Sequence, residues 1–406
     1  MAVNLLAPVS LLPIPGCRLG SAEAAIKKPG RKDLLLVELA PGSRVAGVFT
    51  RNAFCAAPVQ ICREALAGAT PIRGLLINSG NANAGTGSQG FSDARATLAA
   101  AAEALGCAPE AILPFSTGVI GQKLPSTRMT AAMPAAQAAL RSDGWMDASR
   151  TIMTTDTLPK GASRQVQTAQ GPVTVTGIAK GAGMICPDMA TLLAFVGTDA
   201  RLTSAALQQC LNEAVNRSFN CVTVDGDTST NDSCVLFATA QAGSEDIGPQ
   251  HADYAAIAGA VREVCTELAQ AIVRDGEGAT RFITIDVQSA GSEAEARLAA
   301  YALAHSPLFK TAAFAGDANW GRILAAVGRS GIAGLDVSRI SIRIDEVELI
   351  RNGEPHPDYR EERGAAVFAK PEYTIRIDLG RGNAGVTVWT CDFSYDYVKI
   401  NAEYRT

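Results

Sequence analysis

Three short segments carry residues that could do chemistry. The first, Lys180-Gly-Ala-Gly-Met-Ile-Cys-Pro-Asp-Met-Ala-Thr191, leads from a glycine-rich loop through Pro187 into a threonine that opens an apolar run. A threonine hydroxyl is a weak nucleophile unless a base stands beside it. The same composition also suits a plain connection between two strands, its threonine merely beginning the second. A phosphate cradle would need G-x-x-x-x-G-K-[ST] or G-x-G-x-x-G, and the loop has neither. The second segment, Ser116-Thr117-Gly118, offers a hydroxyl beside a glycine N–H, or an ordinary turn. The third, Asp225-Gly-Asp-Thr-Ser-Thr-Asn-Asp232, begins like a calcium loop. It has Thr230 where the sixth position needs glycine and Leu236 where the bidentate glutamate belongs, so it reads as a hydrogen-bonded turn supporting a site.

Metal chemistry is not written here. The 10 cysteines include no C-x-x-C pair, and His251, His305 and His356 stand far apart, outside any H-E-x-x-H pattern. Buried, reduced thiols are the better reading of the cysteines, and no metal is expected.

The elements that must position these segments are strands and helices in alternation. Val45 to Thr50, Gly74 to Asn78 and Gln165 to Ala179 read as strands, and Thr191 to Thr198 as a short buried one. Ser92 or Asp93 should cap an alanine-rich helix to Leu105, with a second over Met129 to Leu140. Thr203 should cap a helix to Asn216, followed by a strand near Cys234 to Thr239. A long helix spans Asp253 to Arg274, and a strand Arg281 to Val287. A short helix starts at Glu293, and two strands turn at Arg351-Asn352-Gly353. Strands at Thr374 to Leu379 and Gly385 to Thr390 complete a layered α/β chain, and no pattern shows the order of its sheets.

Composition narrows the class. The chain has 406 residues, 47% of them hydrophobic, 5% aromatic and 38 glycines: room for two or three domains, or one large two-lobed α/β unit. Its formal net charge is −4 and its basic residues are scattered, which argues against nucleic acid and anionic membranes as partners. The apolar start up to Gly20 is interrupted by Pro8, Pro13 and Pro15, and its first basic residue, Arg18, follows Cys17; this is not the order of a lipoprotein signal. A soluble, cytoplasmic protein is expected.

Lys180-Gly-Ala-Gly-Met-Ile followed by Met189-Ala190-Thr191 resembles the cleavage-site signature of the ornithine acetyltransferase family. Further landmarks of that family follow in order: Asn78-Ser-Gly-Asn-Ala-Asn83, Ser116-Thr-Gly-Val-Ile-Gly121, Met153-Thr-Thr-Asp156-Thr and Val224-Asp-Gly-Asp-Thr-Ser-Thr-Asn-Asp232. Asp275-Gly-Glu-Gly-Ala-Thr280, Gly316-Asp-Ala-Asn-Trp-Gly-Arg322 and Ile400-Asn-Ala-Glu-Tyr-Arg-Thr406 complete the set.

The resemblance implies an α/β sandwich of the N-terminal-nucleophile type, made as a precursor that cuts itself between Ala190 and Thr191. The products, residues 1–190 and 191–406, would stay intertwined and assemble as α₂β₂. The cut frees an α-amine on Thr191 whose ordinary pKa near 8 suits it to act as base for the hydroxyl beside it. That hydroxyl would take acetyl from N-acetylornithine and pass it to glutamate in a ping-pong cycle, with acetyl-CoA as a second donor and no resident cofactor. Thr117, through its hydroxyl, and Gly118, through its N–H, match the family's oxyanion hole. Thr154, Lys180, Thr191, Glu277, Asn401 and Thr406 match its substrate-binding positions. Lys180 and Glu277 supply the two signs of charge that donor and acceptor require, although each alone reads as a solvated loop or turn residue. Asn319 to Arg322 reads as architectural, with Arg322 a candidate partner for a substrate carboxylate. A self-processing aminopeptidase or amidase, and a silent binding protein, are the competing readings.

Overall fold

The computed structural model describes residues 2–186 and 192–403, which fall into two compact units. The larger comprises Leu6–Asn220 and Asp227–Ile272, and the smaller Met1–Leu5, Cys221–Gly226 and Val273–Thr406.

The larger unit contains, in chain order, β1 (Cys17–Ala22), β2 (Leu34–Leu39), β3 (Arg44–Phe49), α1 (Ala57–Ala67), β4 (Gly74–Asn81), α2 (Gly87–Leu105), β5 (Ile112–Val119), α3 (Ser126–Ala138) and α4 (Trp145–Thr151). It continues with β6 (Lys160–Thr168), β7 (Gly171–Lys180), β8 (Leu193–Leu202), α5 (Ser204–Asn216), β9 (Ser233–Ile247) and all but the last two residues of α6 (Tyr254–Arg274). One sheet has the order β1-β2-β4-β5 and a second the order β3-β9-β8-β7-β6. The apolar run of β2 is buried on both faces, and its period of two sorts the side chains. Leu35, Val37 and Leu39 share a core with Phe195, Val235 and Phe237, so the two sheets pack face to face. Leu34 and Leu36 instead meet Leu98 of α2 and Met129 and Met133 of α3 on the outer side. The tight space at Gly177, bounded by Val264 and Leu268, places α6 against the other sheet. The unit is therefore a helix–sheet–sheet–helix sandwich. An edge-on pair, Phe115 and Phe195 at 5.0 Å, locks the two sheets together; such pairs add about 0.5–1.5 kcal/mol beyond burial.

Several sequence expectations shift. Gln165 to Ala179 is not one strand but the β6–β7 hairpin, turning at Ala169-Gln170 with Gly171 at φ +110°. Gly171-Pro172 is the turn signal that the surrounding β-branched residues outweighed. Helix α2 starts at Gly87 rather than at Ser92 or Asp93, because Asn83 reaches forward to donate to the Gly90 carbonyl and accepts from Thr86. Strand β9 runs well past Thr239, to Ile247. Thr203 does cap α5, its hydroxyl accepting from Ala206 N–H. Because β7 lies on one side of Ala190–Thr191 and β8 on the other, pieces cut there would share one sheet.

The smaller unit holds β10 (Phe282–Ala290), α7 (Glu293–Ala304), α8 (Pro307–Ala315), α9 (Trp320–Gly328), β11 (Ser341–Ile344), β12 (Val347–Arg351), β13 (Glu354–Pro355), α10 (Glu361–Phe368), β14 (Glu372–Asp378), β15 (Ala384–Cys391) and α11 (Tyr395–Ala402). Its sheet has the order β13-β12-β11-β14-β10-β15, with β10 and β14 parallel. Ile283, Ile285 and Val287 of β10 share a core with Ala296, Ala300 and Leu303 of α7. Asn319 caps α9, and Arg322 donates to the Leu308 carbonyl at 2.6 Å, so this stretch joins helices.

Candidate active site

Thr117 and Gly118 end β5, beside the matching end of β4. The strands run parallel with Asn78 opposite Ser116, Ser79 opposite Thr117 and Gly80 opposite Gly118, until Asn81 breaks the register. Gly118 sits at φ +135°, and a Cβ there would lie 2.2 Å from the Gly80 carbonyl carbon. Only glycine fits so close an approach. Side-chain amides hold the paired ends. Asn78 accepts from Ser116 Oγ at 2.6 Å and donates to the Asn81 carbonyl at 2.9 Å. Asn231 donates to the carbonyls of Ala82, at 2.6 Å, and Ser116, at 2.9 Å. These amides tie the ends of β4 and β5 to each other and to the loop of Asn231.

A second cluster forms where β7, β8 and β9 lie side by side. Lys180 pairs with Leu193, and Leu193 with Ser233. Lys180 and Asp232 are both buried. The Asp232 carboxyl accepts from Ser229 and from the N–H of Leu192, the residue that follows Thr191, while its Oδ2 is buried and has no hydrogen-bond partner. Burial pushes this carboxyl well above its ordinary range, and hydrogen bonds from Ser229 and the nearby charge of Lys180 only partly oppose that.

The Lys180 charge also reaches Asp156, which is buried. Lys160 Nζ lies 2.6 Å from Asp156 Oδ1, with both side chains sealed from solvent. The same oxygen accepts from Gly181 N–H at 2.8 Å, and Oδ2 from Thr154 N–H at 3.0 Å. Burial alone would raise this carboxyl, but the charges of Lys160 and Lys180, with these hydrogen bonds, hold it well below the usual range. Asp156 therefore joins the loop of Thr154 to the loop after Lys180, and Thr154 and Asp156 line a cavity together with Met153 and Arg31.

Glu277 and Asn401 belong to the smaller unit. Glu277 is only 7% exposed, so it is no surface turn residue. Asn401 Nδ2 donates to Glu277 Oε2 at 2.9 Å. Gly278, at φ +70°, lies under α11, its carbonyl accepting from Ser394 Oγ at 2.6 Å. Asp392 accepts from the N–H groups of Thr280 and Arg281, both at 2.8 Å, which closes the loop from Asp275 to Arg281 against β15.

The structure thus brings together Thr117 with Gly118, Thr154 with Lys180 through Asp156, and Glu277 with Asn401. Ala190, Thr191 and Thr406 lie outside the described residues. Lys180, which alone read as a solvated loop lysine, is buried. Arg322 is engaged with Leu308 and Thr311 rather than with a cluster of candidate residues. Sequence reasoning passed over Asp156, Asn231 and Asp232 as site residues. Each stood inside a quoted motif, and each is an acid or amide in an otherwise small-residue stretch, which is the signal that could have found them.

Known proteins resemble this chain over almost its whole length. A model of the ArgJ family matches residues 18–406. The chain is 58% identical over 401 residues to the arginine biosynthesis bifunctional protein ArgJ of Methylococcus capsulatus, covering 99% of this chain and 98% of that one. Among solved structures, the arginine biosynthesis bifunctional protein ArgJ of Bacillus halodurans is 41% identical, covers 52% of this chain and 99% of its own, and superposes with a TM-score of 0.50. The ornithine acetyltransferase of Mycobacterium tuberculosis, solved with ornithine, is 37% identical over 44% of this chain and 93% of its own, with a TM-score of 0.41. Among the described residues, no helix is long and apolar enough to cross a membrane.

Proposed function

Given that the chain belongs to the ArgJ family, we propose that it transfers acetyl from N-acetylornithine to glutamate, and also makes N-acetylglutamate from acetyl-CoA. The observation that carries this reading is the likeness to a bifunctional relative, 58% identical over 401 residues and covering 99% of this chain. No resident cofactor is needed. The protein acts in the cytoplasm, as an α₂β₂ assembly of residues 1–190 and 191–406.

The reaction begins as self-processing. The Thr191 hydroxyl attacks the Ala190 carbonyl, the peptide C–N bond breaks, and the resulting ester is hydrolysed to leave a free α-amine on Thr191. That amine takes the hydroxyl proton as Thr191 Oγ attacks the acetyl carbonyl of the donor. Thr117 Oγ–H and Gly118 N–H receive the oxyanion, as the tied ends of β4 and β5 suit them to do. Ornithine leaves with the proton, and the α-amine of glutamate then attacks the O-acetyl ester to give N-acetylglutamate. Lys180 and Glu277 meet the opposite charges of the two amino acids. The size of the Bacillus halodurans chain, about half of this one and matched almost end to end, supports a protein that works in two pieces.

Intact mass under denaturing conditions tests the processing step. Wild type should give two species that divide at Ala190–Thr191, and Thr191→Ala a single full-length chain. Incubation with acetyl-labelled N-acetylornithine should add one acetyl group to the piece beginning at Thr191, and glutamate should remove it. An uncut wild-type chain, or a cut chain that water alone deacylates while glutamate is ignored, would favour a binding protein or an amidase respectively.

A further inference from the structure

The cavity beside Thr154 measures about 600 Å³ and carries Arg31, Lys32 and Arg150 on its wall. In a chain of formal net charge −4, three cations around one cavity reverse the local sign. The acids nearby do not cancel them. Asp156 is committed inward to Lys160. Asp147 is a single carboxylate shared by Lys32 at 2.9 Å, Arg141 at 3.1 Å and Arg150 at 3.8 Å. The Lys32 and Arg150 side chains are 52% and 60% exposed, so both can meet a ligand from solvent. The guanidinium of Arg31 is oriented by the Met153 carbonyl at 2.6 Å and Ser79 Oγ at 3.2 Å.

Pockets of roughly 300–1,000 Å³ take ligands much larger than a single amino acid. Arg and Lys together, with one guanidinium held in place and two cations exposed at the rim, suit phosphate groups better than a lone carboxylate. We propose that Arg31, Lys32 and Arg150 bind the phosphates of acetyl-CoA, its thioester arm running inward along the wall towards Thr154. This assignment rests on the acetyl-transfer reading above and places the second donor in part of the same site. In the step it serves, the thioester C–S bond breaks as the acetyl carbon bonds to Thr191 Oγ, and the hydroxyl proton leaves with the CoA thiol.

The double variant K32E/R150E should raise KM for acetyl-CoA by about tenfold or more, since charge reversal at a rim opposes a polyanion. The same protein should keep the wild-type kcat/KM for acetylornithine-to-glutamate transfer. Lys32→Gln with Arg150→Gln should move KM for acetyl-CoA in the same direction by less. Inorganic pyrophosphate should compete with acetyl-CoA and leave acetylornithine turnover untouched. Equal losses with both donors would overturn the assignment, because the cations would then serve the site as a whole. Failure of desulfo-CoA to bind wild type in calorimetry would overturn it too, provided acetylornithine still acylates the enzyme. Absence of acetylornithine turnover in wild type would instead defeat the parent reading.

Discussion

Asn401 donates its side-chain amide to Glu277 at 2.9 Å, joining two residues 124 positions apart. The contact sets the last helix onto the loop between α6 and β10, and Ser394 makes a second tie to Gly278 in the same loop. Tyr397 adds a third, its hydroxyl 3.4 Å from Asp225 Oδ2. The orientation of the Glu277 carboxylate therefore depends on the C-terminal helix.

Loss of that tie should show in substrate binding rather than in processing. Asn401→Ala removes one hydrogen bond to a charged acceptor, on the order of 1.5–3 kcal/mol, and should raise KM for acetylornithine by roughly tenfold or more. Deleting Glu403 to Thr406, or extending the C-terminus with a tag, should act in the same direction. Steady-state kinetics beside intact mass checks this: full self-cleavage with weakened binding is expected. A truncated protein with wild-type KM would refute it.

Thr117→Val should lower kcat by about 10²–10³ while changing KM little, the pattern of an interaction made only in the transition state. Gly118→Ala keeps the N–H and should lower kcat by displacing it, because its methyl would meet the Gly80 carbonyl carbon at 2.2 Å. Self-cleavage passes through a similar tetrahedral oxyanion, so it should slow in both variants. Timed intact-mass measurements after translation would record that delay, and prompt processing in Thr117→Val would remove its hydroxyl from the oxyanion hole.

Much of this was legible in the chain, and the gaps have physical causes. Long periodic stretches such as α6, and a capped start such as Thr203, read correctly because local chemistry decides them. The β6–β7 hairpin was missed because alternating β-branched residues continue through its two-residue turn. Strand β2, buried on both faces, gives no alternation to detect. Asp156 and Asn231 escaped as site residues because their partners, Gly181 and Ser116, are distant in sequence and are met through backbone atoms that any residue possesses.

Removing Asp156 should be costly. Asp156→Ala would leave the Lys160 ammonium sealed from solvent without its acid, a change worth about 3–5 kcal/mol. Replacing the pair together, Asp156→Leu with Lys160→Met, should recover only part of this, since Gly181 and Thr154 would still lack their acceptor. Because the folded carboxyl is depressed, its stabilisation is full above the ordinary carboxylate range near 4 and is lost as pH falls through the lowered value. Urea unfolding in the Thr191→Ala background, which keeps the chain whole, measures each midpoint. A midpoint for Asp156→Ala close to that of the parent would contradict the argument.

Asp232 should behave in the opposite sense. Its carboxyl is raised by burial, so above the unfolded value near 4 the folded state holds a proton that the unfolded state has lost. Stability therefore falls as pH climbs from that value towards the raised one. Asp232→Asn, again with Thr191→Ala, should flatten this slope, and thermal melts from about pH 5 to pH 8 would show the two curves separating. Processing distinguishes the two possible substitutions. Asparagine retains a carbonyl that can accept from Leu192 N–H, so Asp232→Asn with Thr191 intact should still cut. Alanine leaves that N–H without its acceptor beside the scissile bond and should slow the cut markedly. Equal cleavage rates for the asparagine and alanine variants would mean that Asp232 does not align the chain at Thr191.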